Sequence, residues 1–433
     1  MPASESSQPS FPSSSLDALL TIGVLMALTA LFGVLNERYL RLPSSIGLML
    51  LALLMTAALA VLKSFGMIEG LTWARILVEK LDLSEVLLNG VLCFMLFAGS
   101  AGVKVSFLRE NEWPILSLAI GSTIIACFVT GALLSVVLGW FGIALPLSYA
   151  FVFGALISPT DPIAALAILK SAGLPERLET IINGESLFND GVGVVLFTLA
   201  LVQVAGGEDN TPALVLLLRE VLGGLGLGLA VGFATHWALL RTESFVNQLL
   251  ITLSTVALGY SIALQVDVSG PIAMVVAGLV VGNVTMPRLT EAARAPLDDF
   301  WGGVDGMLNS MLFVLMGLMV VLVHDLGQAP LMVVIPVAIT VCLFARAVSV
   351  YLPMAVLNAS PVFEANTPGL TRLLTWAGLR GGLALALALS LPESDQKPLI
   401  VNMTFAVVAF SVLAQGSTIA KLFSPAYLKG LLR

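Results

Sequence analysis

Charge is scarce in this sequence. Of its 433 residues only 11% are Asp, Glu, Lys or Arg, against about 25% in a typical soluble domain, while 58% are hydrophobic. A chain so composed cannot clothe a wholly water-facing surface. Histidine occurs twice and cysteine three times, at Cys93, Cys127 and Cys342, each inside an apolar run. No metal-ligating Cys/His cluster or paired-cysteine framework follows from that, and the thiols read as packing residues. A phosphate-cradling glycine motif of the Walker or Rossmann kind is missing, as is any basic patch suited to nucleic acid. ATP-driven work and nucleic-acid binding are disfavoured on these grounds. Nothing in the pattern calls for a resident cofactor or an enzymatic centre. The net charge of −7 is scattered over short loops and marks no particular partner.

What is abundant is apolar sequence in runs of about twenty residues, long enough to cross a hydrocarbon core at about 1.5 Å per residue. The fold class is therefore an all-α polytopic membrane protein. Runs near 17–35, 46–62, 84–103, 114–138, 148–169, 180–204, 213–239, 245–265, 270–284, 301–323, 331–357, 372–391 and 398–422 predict thirteen transmembrane helices, the ninth conspicuously short. Residues 1–15 are polar, lack Lys and Arg, and read as a disordered tail rather than a signal peptide. Residues 16–423 form the membrane domain and 424–433 a short cytoplasmic C-terminus. With the N-terminus outside and an odd number of spans, thirteen basic residues fall on inside segments. Only Lys63, Arg75, Lys80 and Lys397 fall outside. That asymmetry orients the chain N-terminus out, C-terminus in.

Three basic residues remain within spans. Arg219 lies near a span end beside Glu220 and can reach the interface. Arg346 and Arg380 lie deep, as do Asp161, Glu185 and Asp190. A charge at mid-membrane costs at least about 2.5 kcal/mol, so five unpaired ones would cost on the order of 12 kcal/mol, comparable to a whole protein's stability. They must pair, line water or bind something.

The backbone around them narrows the choice. In "SPTDP", Pro159 and Pro162 remove amide donors and bias Ser158 and Asp161 away from helix. This span should break, offering carbonyls and the Thr160 hydroxyl. In "GLRGG", Gly378, Gly381 and Gly382 loosen the last span but one around Arg380. Two interrupted helices at corresponding places in two halves point to an inverted-repeat transporter with its site at their crossing. In "GESLFND", Ser186 and Asp190 share a helical face, and Glu185 and Asn189 share the neighbouring one. Carboxylate, hydroxyl and amide oxygens suit an alkali or alkaline-earth cation rather than zinc or copper. Glu185 is placed to meet an arginine, assigned here as Arg346. Three acids and two arginines leave a charge of −1, which one monovalent cation or one proton neutralises. A single carboxylate holding one or the other, with alternating access, suffices for exchange.

These motifs resemble the monovalent cation/proton antiporters, in the branch of bacterial NhaP-type antiporters and animal sodium/proton exchangers. The resemblance runs from "FMLFAGS" (94–100) through "SPTDPIA", "GESLFNDGV", "LNSMLFVLMGL" (308–318) and "FARAVSVY" (344–351) to "TWAGLRGGLALALAL" (375–389). It implies an NhaA-like fold of thirteen spans in which a core bundle, including 84–138, 148–204 and 301–422, moves against a dimerisation domain. By motif position Asp190 looks like the ion- and proton-carrying residue and Asn189 its partner. Asp161 and Thr160 look like the broken helix's contribution, Glu185 with Arg346 like a structural ion pair, and Arg380 like the residue at the second crossing. The Asn-Asp pair belongs to the electroneutral branch. Implied partners are Na+, Li+ or K+, protons, the lipid bilayer of a bacterial inner (plasma) membrane, and a second copy in a homodimer. In the third span Phe97-Ala98-Gly99 stands where some relatives carry an acid, which puts a ligand from that span in doubt. A cation channel, or a transporter-like cation sensor without coupled proton exchange, is the alternative. Roles for Asp305, His236 and His324 stay open, as do the preferred ion and the dimer interface. Gly224, Gly228 and Gly232, four residues apart, allow a close helix approach, either within the chain or at a dimer contact.

Overall fold

The computed structural model describes residues 13–64, 90–204, 213–319, 329–359, 367–424 and 427–428. Helices α1 (Ser13–Leu35) and α2 (Ser44–Ser64) precede α3 (Leu92–Ala101) and α4 (Thr123–Trp140). Then follow α5 (Leu147–Ile157), α6 (Ile163–Ser171), α7 (Glu176–Val204), α8 (Ala213–Leu239), α9 (Phe245–Gln265) and α10 (Gly270–Val280). The last part holds α11 (Glu291–Leu318), α12 (Ala329–Asn358), α13 (Thr367–Ala377), α14 (Gly382–Leu389), α15 (Lys397–Phe410) and α16 (Gly416–Leu422).

Ten helical stretches among the described residues are long and apolar enough to cross a membrane. The remaining expected runs correspond to shorter pieces. Proline separates α5 from α6, and glycine separates α13 from α14. The run 84–103 appears only as α3, because residues 65–89 lie outside the described set. So do His324 and most of the expected tail, although helix already begins at Ser13. The short ninth run is extended by a π-turn and a 3-10 turn, so that Gly270–Arg288 makes 19 continuous residues.

Buried apolar side chains fall into two clusters. The larger draws on α2, α4 to α7, the second half of α11, and α12 to α16. The smaller gathers α3, α9, α10 and the first half of α11 around Trp301. Helix α3 packs closely with α10 and the turn after it, where Gly278 and Gly282 admit the backbone of Phe97 and Ala101, and meets α7 at Leu187 and Phe188. Helix α11 crosses from one cluster to the other, with Leu297 and Trp301 in the smaller and Met311–Leu318 in the larger.

Within the smaller group, α10 is central and α8 peripheral. The stretch Gly270–Arg288, which begins with α10, is 67% buried over its most apolar part, against 17% for Val215–Leu239 of α8. The side of α8 that is covered carries the glycine repeat. A Cβ added at Gly228 would stand 2.6 Å from the Ala273 carbonyl, and one at Gly232 would stand 2.9 Å from Val280. The repeat therefore serves contact with α10 inside the chain. At one end of α8, Arg219 pairs with Asp267 at 3.0 Å, not with the adjacent Glu220. At the other, His236 Nδ1 meets Thr285 Oγ1 at 3.1 Å, and Arg288 donates to His236 Nε2 at 3.0 Å. All three cysteines are buried, and none forms a disulfide among the described residues.

Candidate functional site

The two interrupted helices cross at their breaks. Asp161 N–H donates to the Leu379 carbonyl at 2.8 Å, making an antiparallel bridge between extended segments. Proline enforces one break, since neither Pro159 nor Pro162 has an amide to continue the helical ladder. Close approach enforces the other. A Cβ on Gly381 would lie 2.6 Å from Asp161 Oδ2, and Gly382 receives the Leu312 side chain.

Breaking two helices mid-chain creates exposed helix ends, and the buried charges answer them. A helix C-terminus carries about −0.5 charge and an N-terminus about +0.5. Arg380 Nη1 donates to the carbonyls of Ser158 at 2.6 Å and Pro159 at 2.9 Å, just past the end of α5. Arg346 Nη2 donates to the Leu374 carbonyl in the last turn of α13, at 3.2 Å. At the start of α6, Asp161 Oδ1 accepts the Ile163 amide at 2.9 Å, while the same carboxylate lies against Gly381, where α14 begins. Ser411 Oγ holds the crossing from behind by accepting the Arg380 amide at 3.0 Å.

The carbonyls at the proline break, expected to leave the helical ladder, each accept a protein donor. Those of Ser158 and Pro159 are taken by Arg380, and that of Thr160 accepts the Ser186 hydroxyl at 2.7 Å. The Thr160 hydroxyl accepts Asn189 Nδ2 at 2.8 Å.

Helix α7 divides its polar side chains as its periodicity requires. Glu185 turns inward and accepts from Arg346 Nη1 at 2.6 Å, with both side chains 5% exposed or less. Ser122 Oγ accepts the same arginine nitrogen at 3.3 Å. Ser186 and Asp190 face a cavity of about 590 Å³ that also reaches Thr160, Asp161 and Asp305. Asn189 is fully buried, turned towards Thr160 rather than the cavity stripe, and its Oδ1 has no hydrogen-bond partner.

The structure thus brings Thr160, Asp161, Ser186, Asn189 and Asp190 together beside the crossing, with the Glu185–Arg346 pair behind them. Arg380 reaches the break but makes no ion pair with either aspartate among the described residues. With Arg346 matched to Glu185, Arg380 to the end of α5, and Asp161 to the start of α6, the surplus negative charge rests on Asp190. The cavity's far wall carries Asp305, whose role the sequence left open, on α11.

Residues 24–424 match the family described as sodium/hydrogen exchanger, transmembrane. The chain belongs to that family. The Na+/H+ antiporter NhaP of Pseudomonas aeruginosa is 38% identical over 411 residues, covering 94% of this chain and 96% of that one. The Na+/H+ antiporter NhaH of Halobacillus dabanensis is 30% identical over 421 residues, with the same coverage of each chain. The solved structure of the sodium proton antiporter MjNhaP1 from Methanocaldococcus jannaschii superposes with a TM-score of 0.73. It is 18% identical and covers 96% of this chain and 99% of that one. At that identity the likeness concerns fold, and it extends over nearly the whole exchanger chain.

Two features of the exchanger site escaped the sequence reading. The arginines serve helix ends as well as carboxylates, and only the positions of the breaks hinted at that. Asp305 reaches the cavity from a helix about 115 residues further along the chain than Asp190, a proximity that no local pattern reveals.

Proposed function

We propose that this protein exchanges sodium for protons across a membrane, one for one, with Asp190 carrying either ion in turn. The observation that carries the reading is a carboxylate with no cationic partner among the described residues, facing a cavity at the crossing of two broken helices. Its neighbours on the cavity wall are hard oxygens, the hydroxyls of Thr160 and Ser186 and the second carboxylate of Asp161, with Asn189 held behind them on the Thr160 hydroxyl. Such oxygens suit an alkali cation. A desolvated negative charge attracts a sodium ion and a proton alike, so binding of one expels the other. Lithium and potassium fit the same ligand chemistry.

In this reading the ten long helices, α3, and the two interrupted pairs make thirteen crossings, with the N-terminus outside and the C-terminus inside. The cavity lining includes Lys104, Lys170 and Arg294, which the basic-residue asymmetry assigns to the inside, and this supports a cavity that opens to the cytoplasm. The larger apolar cluster, which holds both broken helices and α7, is the body that moves. Helices α3, α9 and α10 belong to the body against which it moves, which shifts α3 out of the expected core set. A polar tail, residues 1–15, and a short cytoplasmic C-terminus, residues 424–433, flank the membrane domain, and a homodimer in the bacterial plasma membrane completes the proposal.

Everted membrane vesicles with an imposed acid interior test the exchange. Adding sodium, lithium or potassium chloride should discharge the gradient in vesicles containing the protein and not in vesicles lacking it. Cation flux with no proton counter-movement would favour the channel instead.

A further inference from the structure

Five acidic side chains line the cavity: Asp161, Glu179, Asp190, Asp298 and Asp305. Two are matched by bases at the rim, Glu179 by Lys170 at 2.6 Å and Asp298 by Arg294 at 3.1 Å. Asp161 and Asp190 belong to the crossing. Asp305 remains, half-buried, with no basic side chain within ion-pair distance among the described residues.

Its position along the cavity follows from helical geometry. Leu312, whose side chain fits against Gly382 at the crossing, comes seven residues later on α11. At 1.5 Å per residue, Asp305 stands about 10 Å from the level of the crossing, on the side of the rim residues Arg294 and Asp298.

Asn309 marks this carboxylate as more than a solvated acid. It is 4% exposed, and its Nδ2 donates to both the carbonyl (2.8 Å) and Oδ1 (3.1 Å) of Asp305. The amide thereby orients the carboxylate, and its own Oδ1 stays buried with no hydrogen-bond partner. Held on one side by this amide and met by no base among the described residues, the carboxylate keeps its other oxygen for a positive ligand from the cavity. The Asp305 carboxylate, a hard-oxygen ligand on the wall of the cavity, suits an alkali cation that keeps part of its water shell.

We propose that Asp305, oriented by Asn309, is an outer cation position where an entering alkali ion pauses before reaching Asp190 and Asp161. The inference rests on the exchange reading above and adds a second stop to its path. A negative charge inside a low-dielectric cleft concentrates cations and raises their arrival rate. An ion held there also repels one bound deeper, so the two positions fill in succession. Asp305 is thus a positioning residue for entry, separate from the exchanging carboxylate.

Two measurements test this. In proteoliposomes at low ionic strength, Asp305→Asn should raise the apparent KM for sodium about tenfold while kcat changes by no more than about twofold, and Asp305→Glu should recover most of that loss. Separately, purified full-length Asp190→Asn protein is titrated with sodium chloride by calorimetry. Weak sodium binding should persist there and vanish in the Asp190→Asn/Asp305→Asn double variant. An active Asp305→Asn protein with an unchanged KM, or equal sodium binding with and without Asp305, overturns the outer position. If the parent protein exchanges nothing, the exchange reading fails, and the binding titration still decides this one.

Discussion

The amide of Asp161 and the carbonyl of Leu379, 2.8 Å apart, join two helices that are far apart in sequence and each broken at mid-length. Each break exposes a positive and a negative helix end inside the protein, a liability in a low-dielectric interior. Arg380 and Arg346 answer the two negative ends, and Asp161 sits between the two positive ones. The crossing is nearly self-neutral before any ion arrives. That leaves Asp190 as the group whose charge must be supplied from outside.

Gly381 should tolerate no side chain. A methyl there would stand 2.6 Å from Asp161 Oδ2 and from Asp161 Cβ, forcing the carboxylate away from α14. Gly381→Ala is expected to cut sodium-driven proton movement about tenfold or more, equivalent to about 1.4 kcal/mol at the site, while the protein still elutes as the parent does in detergent. Parent-like transport would show that the close packing at the crossing is dispensable.

Glu185 and Arg346 form a pair in which each side chain is 5% exposed or less. Removing one partner of such a pair costs about 3–5 kcal/mol, because it strands the other charge. Glu185→Ala should therefore lower the thermal unfolding midpoint in detergent markedly. Adding Arg346→Leu should recover part of the loss but not all, because Arg346 also donates to the Leu374 carbonyl. A double variant no more stable than Glu185→Ala would show that the ion pair is not what stabilises this part of the fold.

The breaks, the deep charges and the partnership of Glu185 with Arg346 were legible in the sequence because each violates a membrane rule. Proline and glycine stand in the middle of apolar runs, and ions stand where they are expensive. The division of α7 into a cavity face and a pairing face followed from helical spacing alone. Contacts across the fold were not legible. Which carbonyls Arg380 would take depends on how two distant breaks meet. Likewise α3 joined α10 because Gly278 and Gly282 admit its backbone, a fit between surfaces that hydropathy does not encode.

The glycine repeat of α8 offers a paired control. Gly228→Ala would place a methyl 2.6 Å from the Ala273 carbonyl, whereas a Cβ at Gly226 meets nothing within 4 Å. Overpacking of this kind costs about 1–3 kcal/mol. Gly228→Ala should lower the unfolding midpoint and Gly226→Ala should leave it unchanged. Equal effects would place the covered face of α8 elsewhere.

Competition at one carboxylate fixes the sign of the pH dependence. Below the pH at which Asp190 is half protonated, each unit of acidification should raise the apparent KM for sodium by up to about tenfold, since a proton must leave before sodium binds. The maximal rate at saturating sodium should change far less over the same range. An apparent KM that stays flat with pH would mean that the two ions bind at separate places.

The most direct test of exchange at Asp190 uses purified protein in proteoliposomes carrying a pH gradient and a lumenal pH dye. Sodium added to liposomes with the parent protein should collapse the gradient, and liposomes with Asp190→Asn, matched for protein content and fold, should give no response. A full response from Asp190→Asn would contradict the assignment of Asp190 as the exchanging residue.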